Sequence, residues 1–416
     1  MIHARAGVEK SIRNAVGPET MENFNGMVRG FRASAVAAGL KGKNALDVAL
    51  ILSERDATAA GVFTTNTVKA APVLVSQKHL QKGRARAIIA NAGNANACTG
   101  KTGLEDALRS TELVAKELSI VPEDVLVAST GVIGKPMQMD LVSKAVPVLA
   151  EKLSADGIPS AARAIMTTDS FPKLSQFGGK CGGKHYHILG IAKGAGMIMP
   201  HMATMLCFIL TDVRIDADAL KTALLLSVEQ TFNRITVDGD TSTNDMVLAM
   251  ANGMAGNMNI SDDDFKIFIN GLKRVMGNLA RMIVRDGEGA TKLVNIEIKG
   301  ASSTSDAYMA ARTVANSSLV KTAFYGQDPN WGRIMAALGR AGITIQEETI
   351  DIFLDDIKIV SSGLGMGTES EARAAEKMAK KEFTVTIDLH QGTYEDRIIT
   401  CDLTHAYVSI NAEYRT

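Results

Sequence analysis

Short apolar runs alternate with amphipathic stretches along this 416-residue chain. Residues 47–52, 86–90 and 124–128 are mostly apolar and have the length of buried strands. Residues 185–191 and 205–210 form a second set, on either side of a glycine-rich stretch, and 292–298 and 351–360 read as further strands. Phe383, Val385, Ile387 and Leu389 alternate with polar neighbours, the period of a half-buried strand. Helical spacing appears at Leu104, Ala107, Leu108, Ala115 and Leu118, which predicts a helix over 103–118. Residues 141–153, with Pro147 as an irregularity, 216–232 and 369–381 also read as helices. The longest predicted helix, 261–285, carries an apolar stripe from Phe265 through Leu272 to Ile283. Ser261 is its expected cap, and Asp264 suits its first turn. The mixture predicts an α/β or α+β protein whose sheets are covered by helices.

Composition narrows the function classes. The chain is 46% hydrophobic and long enough for two or three domains. Its 45 basic residues equal its 45 acidic ones, so no global field draws it to nucleic acid or to an anionic membrane. The longest apolar region, 195–210, is interrupted by Pro200 and His201 and falls short of the ~20 residues a membrane span needs. Cys98, Cys181, Cys207 and Cys401 form no Cys-x-x-Cys pair, which fits reduced thiols and a cytoplasmic location. Residues 178–184 nearly spell a phosphate loop, but His185 stands where Ser or Thr belongs and a strand follows; a glycine-rich β-turn is expected. Cys181, His185 and His187 lack zinc-ligand spacing, and no metal is expected. Residues 363–367 read as a strand-to-helix turn.

The candidate chemistry centres on Thr204. It follows Lys193-Gly194-Ala195-Gly196 and Ala203, and it opens the apolar run from Met205. A Thr hydroxyl there can attack the preceding Ala203 carbonyl. Hydrolysis of the ester then frees an N-terminal Thr whose own α-amine, of pKa about 7.7–8.0, serves as base for the hydroxyl. A Thr at a strand entrance also has a plain structural reading. Attack on a carbonyl needs donors where negative charge develops. Ser129-Thr130-Gly131, at a glycine turn beyond the strand 124–128, is one source; an ordinary strand-to-loop turn is the other reading. Residues 286–292 place Glu288 among glycines, and Asn411 to Thr416 end the chain after an apolar strand.

Taken together, residues 129–134, 193–206, 286–292 and 411–416 resemble the ornithine acetyltransferase family of arginine biosynthesis, also called glutamate N-acetyltransferase. Residues 91–96 and 327–333 add matches, and the resemblance runs in order from about residue 30 to the end. It implies a self-cleaving, layered α-β-β-α sandwich of the aminopeptidase and ornithine-acetyltransferase type, with a smaller C-terminal α+β domain over about 293–405. It implies cleavage between Ala203 and Thr204 into chains 1–203 and 204–416, which pair as a heterotetramer of two α and two β chains. Thr204 is the implied nucleophile and Thr130 with Gly131 the implied oxyanion hole. Thr167, Lys193, Thr204, Glu288, Asn411 and Thr416 match substrate-binding positions. His201 stands where the family usually has Asn. The implied reaction is ping-pong transfer of acetyl from N2-acetylornithine to glutamate, without a bound cofactor. No motif here decides whether acetyl-CoA is a second donor. A self-cleaving aminopeptidase or amidohydrolase is the competing enzyme, and a non-catalytic binding protein the competing class.

Overall fold

The computed structural model describes residues 27–42, 44–199, 205–258 and 260–413. Its organising strand is long and bent. β1 (Phe31–Val36) is followed by β2 (Val48–Phe63), which has apolar ends around the polar middle Ser53-Glu54-Arg55-Asp56. The expected strand 47–52 is therefore only the first half of β2. The first half pairs with β1 and with β3 (Arg84–Asn94); the register on β3 slips between Leu52 and Ala57. Beyond that irregularity β2 pairs antiparallel with a strand from far along the chain.

β4 (Val125–Val132) lies parallel to β3. β5 (Lys173–Cys181) and β6 (Lys184–Lys193) form a hairpin around Gly182 and Gly183, as the glycine-rich turn predicts. β7 (Leu206–Thr211) pairs antiparallel with β6 and parallel with β8 (Met246–Ala251). The sheet order is β4-β3-β2-β8-β7-β6-β5, with β1 also on β2.

Alternation along the strands shows that this sheet folds onto itself. Ile51, Ile88 and Leu126 from one end share a single core with Phe208, Leu248 and Ile191 from the other. The intervening residues face outward to helices. Leu50, Ile89 and Val127 pack under α1 (Ala71–His79), α2 (Gly100–Leu118) and α3 (Met139–Glu151). α4 (Ile158–Ala164) contributes Ile158 and Ala161 to the inner core. Cys207, Ile209 and Val247 pack under α5 (Ala217–Glu229) and α6 (Asp262–Arg285). Helices, two β layers and helices again make the α-β-β-α sandwich. Each Leu or Ile moved into these layers contributes about 1.5–3 kcal/mol of transfer free energy. Ser261 caps α6 by accepting the Asp264 N–H, as its sequence predicts.

A second, six-stranded sheet has its own core. It contains β9 (Leu293–Ala301), β10 (Asp351–Leu354), β11 (Ile357–Ser361), β12 (Leu364–Gly365), β13 (Glu382–Asp388) and β14 (Tyr394–Cys401). The order is β12-β11-β10-β13-β9-β14. α7 (Thr304–Ala315), α8 (Ser318–Tyr325), α9 (Trp331–Gly339) and α10 (Thr368–Met378) accompany it. The alternation of 383–389 holds: Phe383, Val385 and Ile387 are buried on β13.

Two expectations need correction here. Residues 351–360 are a hairpin rather than one strand, because Asp355, at φ 50°, turns the chain between β10 and β11. Asn411 does not follow a strand directly; it sits on α11 (His405–Glu413), which continues from β14. No helix among the described residues is long and apolar enough to cross a membrane.

Candidate active site

Thr130, Gly131, Thr167, Lys193, Glu288 and Asn411 all line one cavity of about 190 Å³. That is below the roughly 300–1,000 Å³ of sites for drug-sized ligands and suits a small amino-acid derivative. Thr204, Ala203, His201 and Thr416 lie outside the described residues. Thr130 and Gly131 are not beyond the strand, as expected, but within the end of β4, whose ladder with β3 continues to Val132. Gly131 has φ 130°, and a Cβ there would stand 2.4 Å from the Gly93 carbonyl carbon. Only glycine allows that approach.

The Asn-rich segment 91–96 supports this corner. Asn91 Oδ1 accepts the Ser129 hydroxyl at 2.6 Å, and Asn94 Nδ2 donates to the carbonyls of Lys135 and Pro136. From the opposite layer, Asn244 Nδ2 donates to the carbonyls of Ala95 and Ser129 at 2.6 and 2.8 Å. The 327–333 segment does not line the cavity. Asn330 caps α9 and Arg333 donates to the Leu319 carbonyl, so its role is structural.

Lys193 ends β6 and is 3% exposed. Its Nζ donates to Thr130 Oγ1 at 3.1 Å. Burial lowers the pKa of its ammonium, while the Asp169 charge opposes that shift. Glu288 comes from the turn after α6. A Cβ on Gly196 would fall 2.4 Å from Glu288 Oε2, so the bare glycine backbone is what lets the carboxylate lie there. The Glu288 N–H donates to the Ala195 carbonyl at 2.9 Å, and Asn411 Nδ2 donates to Glu288 Oε2 at 2.8 Å.

Beneath the cavity lies an ionic knot that the sequence did not reveal. Lys173 Nζ contacts Asp169 Oδ1 at 2.7 Å and Asp286 Oδ2 at 2.6 Å, with all three side chains buried. Asp169 also accepts the N–H groups of Thr167 and Gly194 at 3.0 and 2.7 Å. Asp286 accepts the Ser170 N–H and hydroxyl. One buried cation thereby joins the three segments that carry Thr167, Lys193 and Glu288. Burial pushes Asp169 up, but Lys173, Lys193 and the N–H groups prevail and hold it well below the ordinary range. Asp286 goes up, through burial and the charge of Asp169, although it touches the same ammonium. We assign the ionised form firmly to Asp169, which has the stronger set of donors.

Asp238 and Asp245 were missed as well. Asp238 accepts the N–H groups of Met197 and Ile198 at 2.6 and 2.8 Å and fixes Met197 at φ 58°. Burial pushes its carboxyl up to about 6. Asp245 accepts the Met205 N–H at 2.8 Å. Their signal in the sequence is weak: acids next to apolar runs, 41 and 40 positions from their partners.

A model of the ArgJ family matches residues 32–416. The chain belongs to the ArgJ family. Its relatives include proteins named arginine biosynthesis bifunctional protein ArgJ. That of Geobacter sulfurreducens is 50% identical over 394 residues, covering 94% of this chain and all of the relative. That of Desulfotalea psychrophila is 48% identical over 394 residues, with the same coverage. The crystal structure of an arginine biosynthesis bifunctional protein ArgJ from Bacillus halodurans is 43% identical, covers 50% of this chain and 98% of its own, and superposes with a TM-score of 0.48. In this ArgJ family member the cavity walls come from both sides of residues 200–204: Thr130, Thr167 and Lys193 precede them, Glu288 and Asn411 follow.

Proposed function

We propose that the protein is an acyltransferase of arginine biosynthesis that moves the acetyl group of N2-acetylornithine to glutamate. The chain cuts itself between Ala203 and Thr204. Thr204 then attacks the acetyl carbonyl, its freed α-amine taking the hydroxyl proton. Gly131 N–H and Thr130 stabilise the oxyanion. Collapse expels ornithine as the amine, protonated on leaving, and leaves acetyl on Thr204 Oγ. The α-amine of glutamate attacks that ester, forms N-acetylglutamate and restores the Thr204 hydroxyl.

The observation that carries this reading is one small cavity lined by a buried cation, Lys193, a carboxylate, Glu288, and the Thr130–Gly131 corner. Lys193 pairs with a substrate carboxylate and Glu288 with a substrate ammonium, so one pocket accepts both amino acids in turn. Thr167, Asn411 and Thr416 complete the binding set. Family membership and relatives named for arginine biosynthesis support the same activity. No bound cofactor is needed, and acetyl-CoA is a further donor to be tested. The cut chains, 1–203 and 204–416, pair in a heterotetramer in the cytoplasm.

Intact mass spectrometry tests the core of this. Two fragments are expected, and brief exposure to acetylornithine should add one acetyl group to the fragment beginning at Thr204. Acetate release without glutamate, in excess of transfer, makes the protein an amidohydrolase. A single uncut chain with full transfer activity overturns the mechanism.

A further inference from the structure

The cavity is unevenly lined. Lys193, Asp238, Asp240 and Glu288 give it charged walls, whereas Ala95 and Ile133, beside Thr130 and Gly131, give it one apolar corner. That corner is the edge of the inner core: Ala95 is buried in the core and Ile133 is half-buried against it. Met197 also lines the cavity, but at its charged end. It follows Gly196, against which the Glu288 carboxylate lies, and its N–H is held by Asp238.

The corner is also fixed in place. Two hydrogen bonds continue beyond the ladder of β3 and β4. The Ala95 N–H donates to the Val132 carbonyl at 3.0 Å, and the Gly134 N–H donates to the Ala97 carbonyl at 2.9 Å. Ile133 is thus pinned through both of its chain neighbours. The Ala95 carbonyl is taken in turn by Asn244 Nδ2 at 2.6 Å. Neither side chain can withdraw from the cavity without breaking these bonds, and the core behind them is close-packed.

The bonds of an acyl group decide what such a corner receives. The carbonyl carbon carries an oxygen, the nitrogen of the amino acid and the first carbon of the acyl chain. From bond lengths, that oxygen and that chain carbon lie about 2.4 Å apart. With the oxygen held at Thr130 and Gly131, the two other substituents have different destinations. The nitrogen leads to a charged amino acid, which belongs with Lys193 and Glu288. The chain carbon is apolar and would desolvate those charges to no benefit.

We propose that Ala95 and Ile133 form the acyl-chain pocket and set the length of the transferred group at two carbons. This deepens the acyltransferase reading and rests on the Thr130–Gly131 corner as its oxyanion site. The methyl of an acetyl group packs on the two side chains. One further methylene meets pinned residues with close-packed core behind them, and discrimination against it is about 10–200-fold.

The test compares N2-acetylornithine with N2-propionylornithine as donors, glutamate being the acceptor for both. Wild type should favour acetyl by about 10–200-fold in kcat/KM. I133A opens the corner, and the preference should fall at least about fivefold; A95G should lower it as well and serves where I133A does not fold. A merely structural role would reduce transfer from both donors equally, so a ratio that stays within about twofold of wild type in the folded variants overturns the proposal. A wild type that uses both donors equally also overturns it. A crystal structure with bound acetylornithine gives an independent reading. The acetyl methyl within about 4.5 Å of the Ile133 side chain supports the pocket, and a methyl turned toward Met197 overturns it. Wild-type protein that transfers neither acyl group sinks the acyltransferase reading itself, whereas normal acetyl transfer with an indifferent ratio sinks only the role of this corner.

Discussion

Replacing Lys173 by Met is the sharpest test of how the cavity is held together. The two side chains are similar in length, so little volume is lost, but two buried carboxylates lose their shared cation. At an effective dielectric of about 20, each contact is worth roughly 6 kcal/mol of Coulomb attraction, most of it cancelled by desolvation. Breaking such a set from one side costs about 3–5 kcal/mol, since uncompensated charge stays buried. The sign of the pH dependence follows. In the wild type Asp169 is depressed, so its contribution is present above the unfolded carboxylate value of about 3.9 and is lost as acid reaches its lower folded value. In the variant both carboxyls lose the Lys173 charge that opposes burial, so both move up and more stability is lost as pH rises. Urea midpoints should therefore differ most at pH 8 and least near pH 5. KM should also rise, because Asp169 holds the N–H groups of Thr167 and Gly194 at the cavity wall. A loss under about 1 kcal/mol, or one of equal size at both pH values, would refute this account of the knot.

Three further substitutions probe the cavity itself. E288Q keeps the shape over Gly196 but removes the charge; KM for acetylornithine should rise about tenfold or more, and an unchanged value removes the proposed ammonium contact. G131A forces a Cβ to 2.4 Å from the Gly93 backbone, so steady-state assays should show transfer reduced by about 10²–10³ with the protein also destabilised. Asp238 rises from an ordinary 3.8 to about 6 on folding, so its contribution to stability is present below pH 4 and lost as pH rises to about 6. D238N should remove that slope from urea midpoints measured across the interval, and a slope that persists assigns it to another group.

Much of the fold was written in local patterns. The cap and stripe of α6, the glycine hairpin of β5 and β6, and the alternation of β13 depend on residues close in sequence. What escaped was decided by distant partners. Ser53 to Asp56 look like a loop because they are polar, yet β2 runs through them, since β3 and β8 supply ladders on both sides of the bend. α11 has almost no amphipathic signal and is unreadable as a helix by period. The site divides the same way. Thr130, Lys193 and Glu288 were found through the resemblance of whole segments. Asp169, Lys173, Asp238 and Asp245 hold those segments in place, and although Asp169 and Lys173 are only four apart, a lone acid or lysine carries no local mark of its distant partners, 25 to 113 positions away.

The fold also predicts what the proposed cut between residues 203 and 204 leaves behind. β6 precedes residue 203 and β7 follows residue 204, yet they pair from Ile188 with Thr211 to Lys193 with Leu206. β2 of the first piece pairs with β8 of the second. Ile51, Ile88 and Leu126 share an inner core with Phe208, Leu248 and Met250, so neither piece holds that inner core complete by itself. Such a boundary is a domain core divided in half rather than a docking surface. Lost strand ladders would leave buried N–H and carbonyl groups unpaired, adding to the exposed apolar area. The pieces should therefore co-elute at the size of the uncut T204A protein on native gel filtration, even at nanomolar dilution, and separate only in denaturant. Denaturing gels should show two bands for the wild type and one for T204A. Free fragments appearing on dilution alone would mean that the interleaved sheet is not the structure that holds the cut enzyme together.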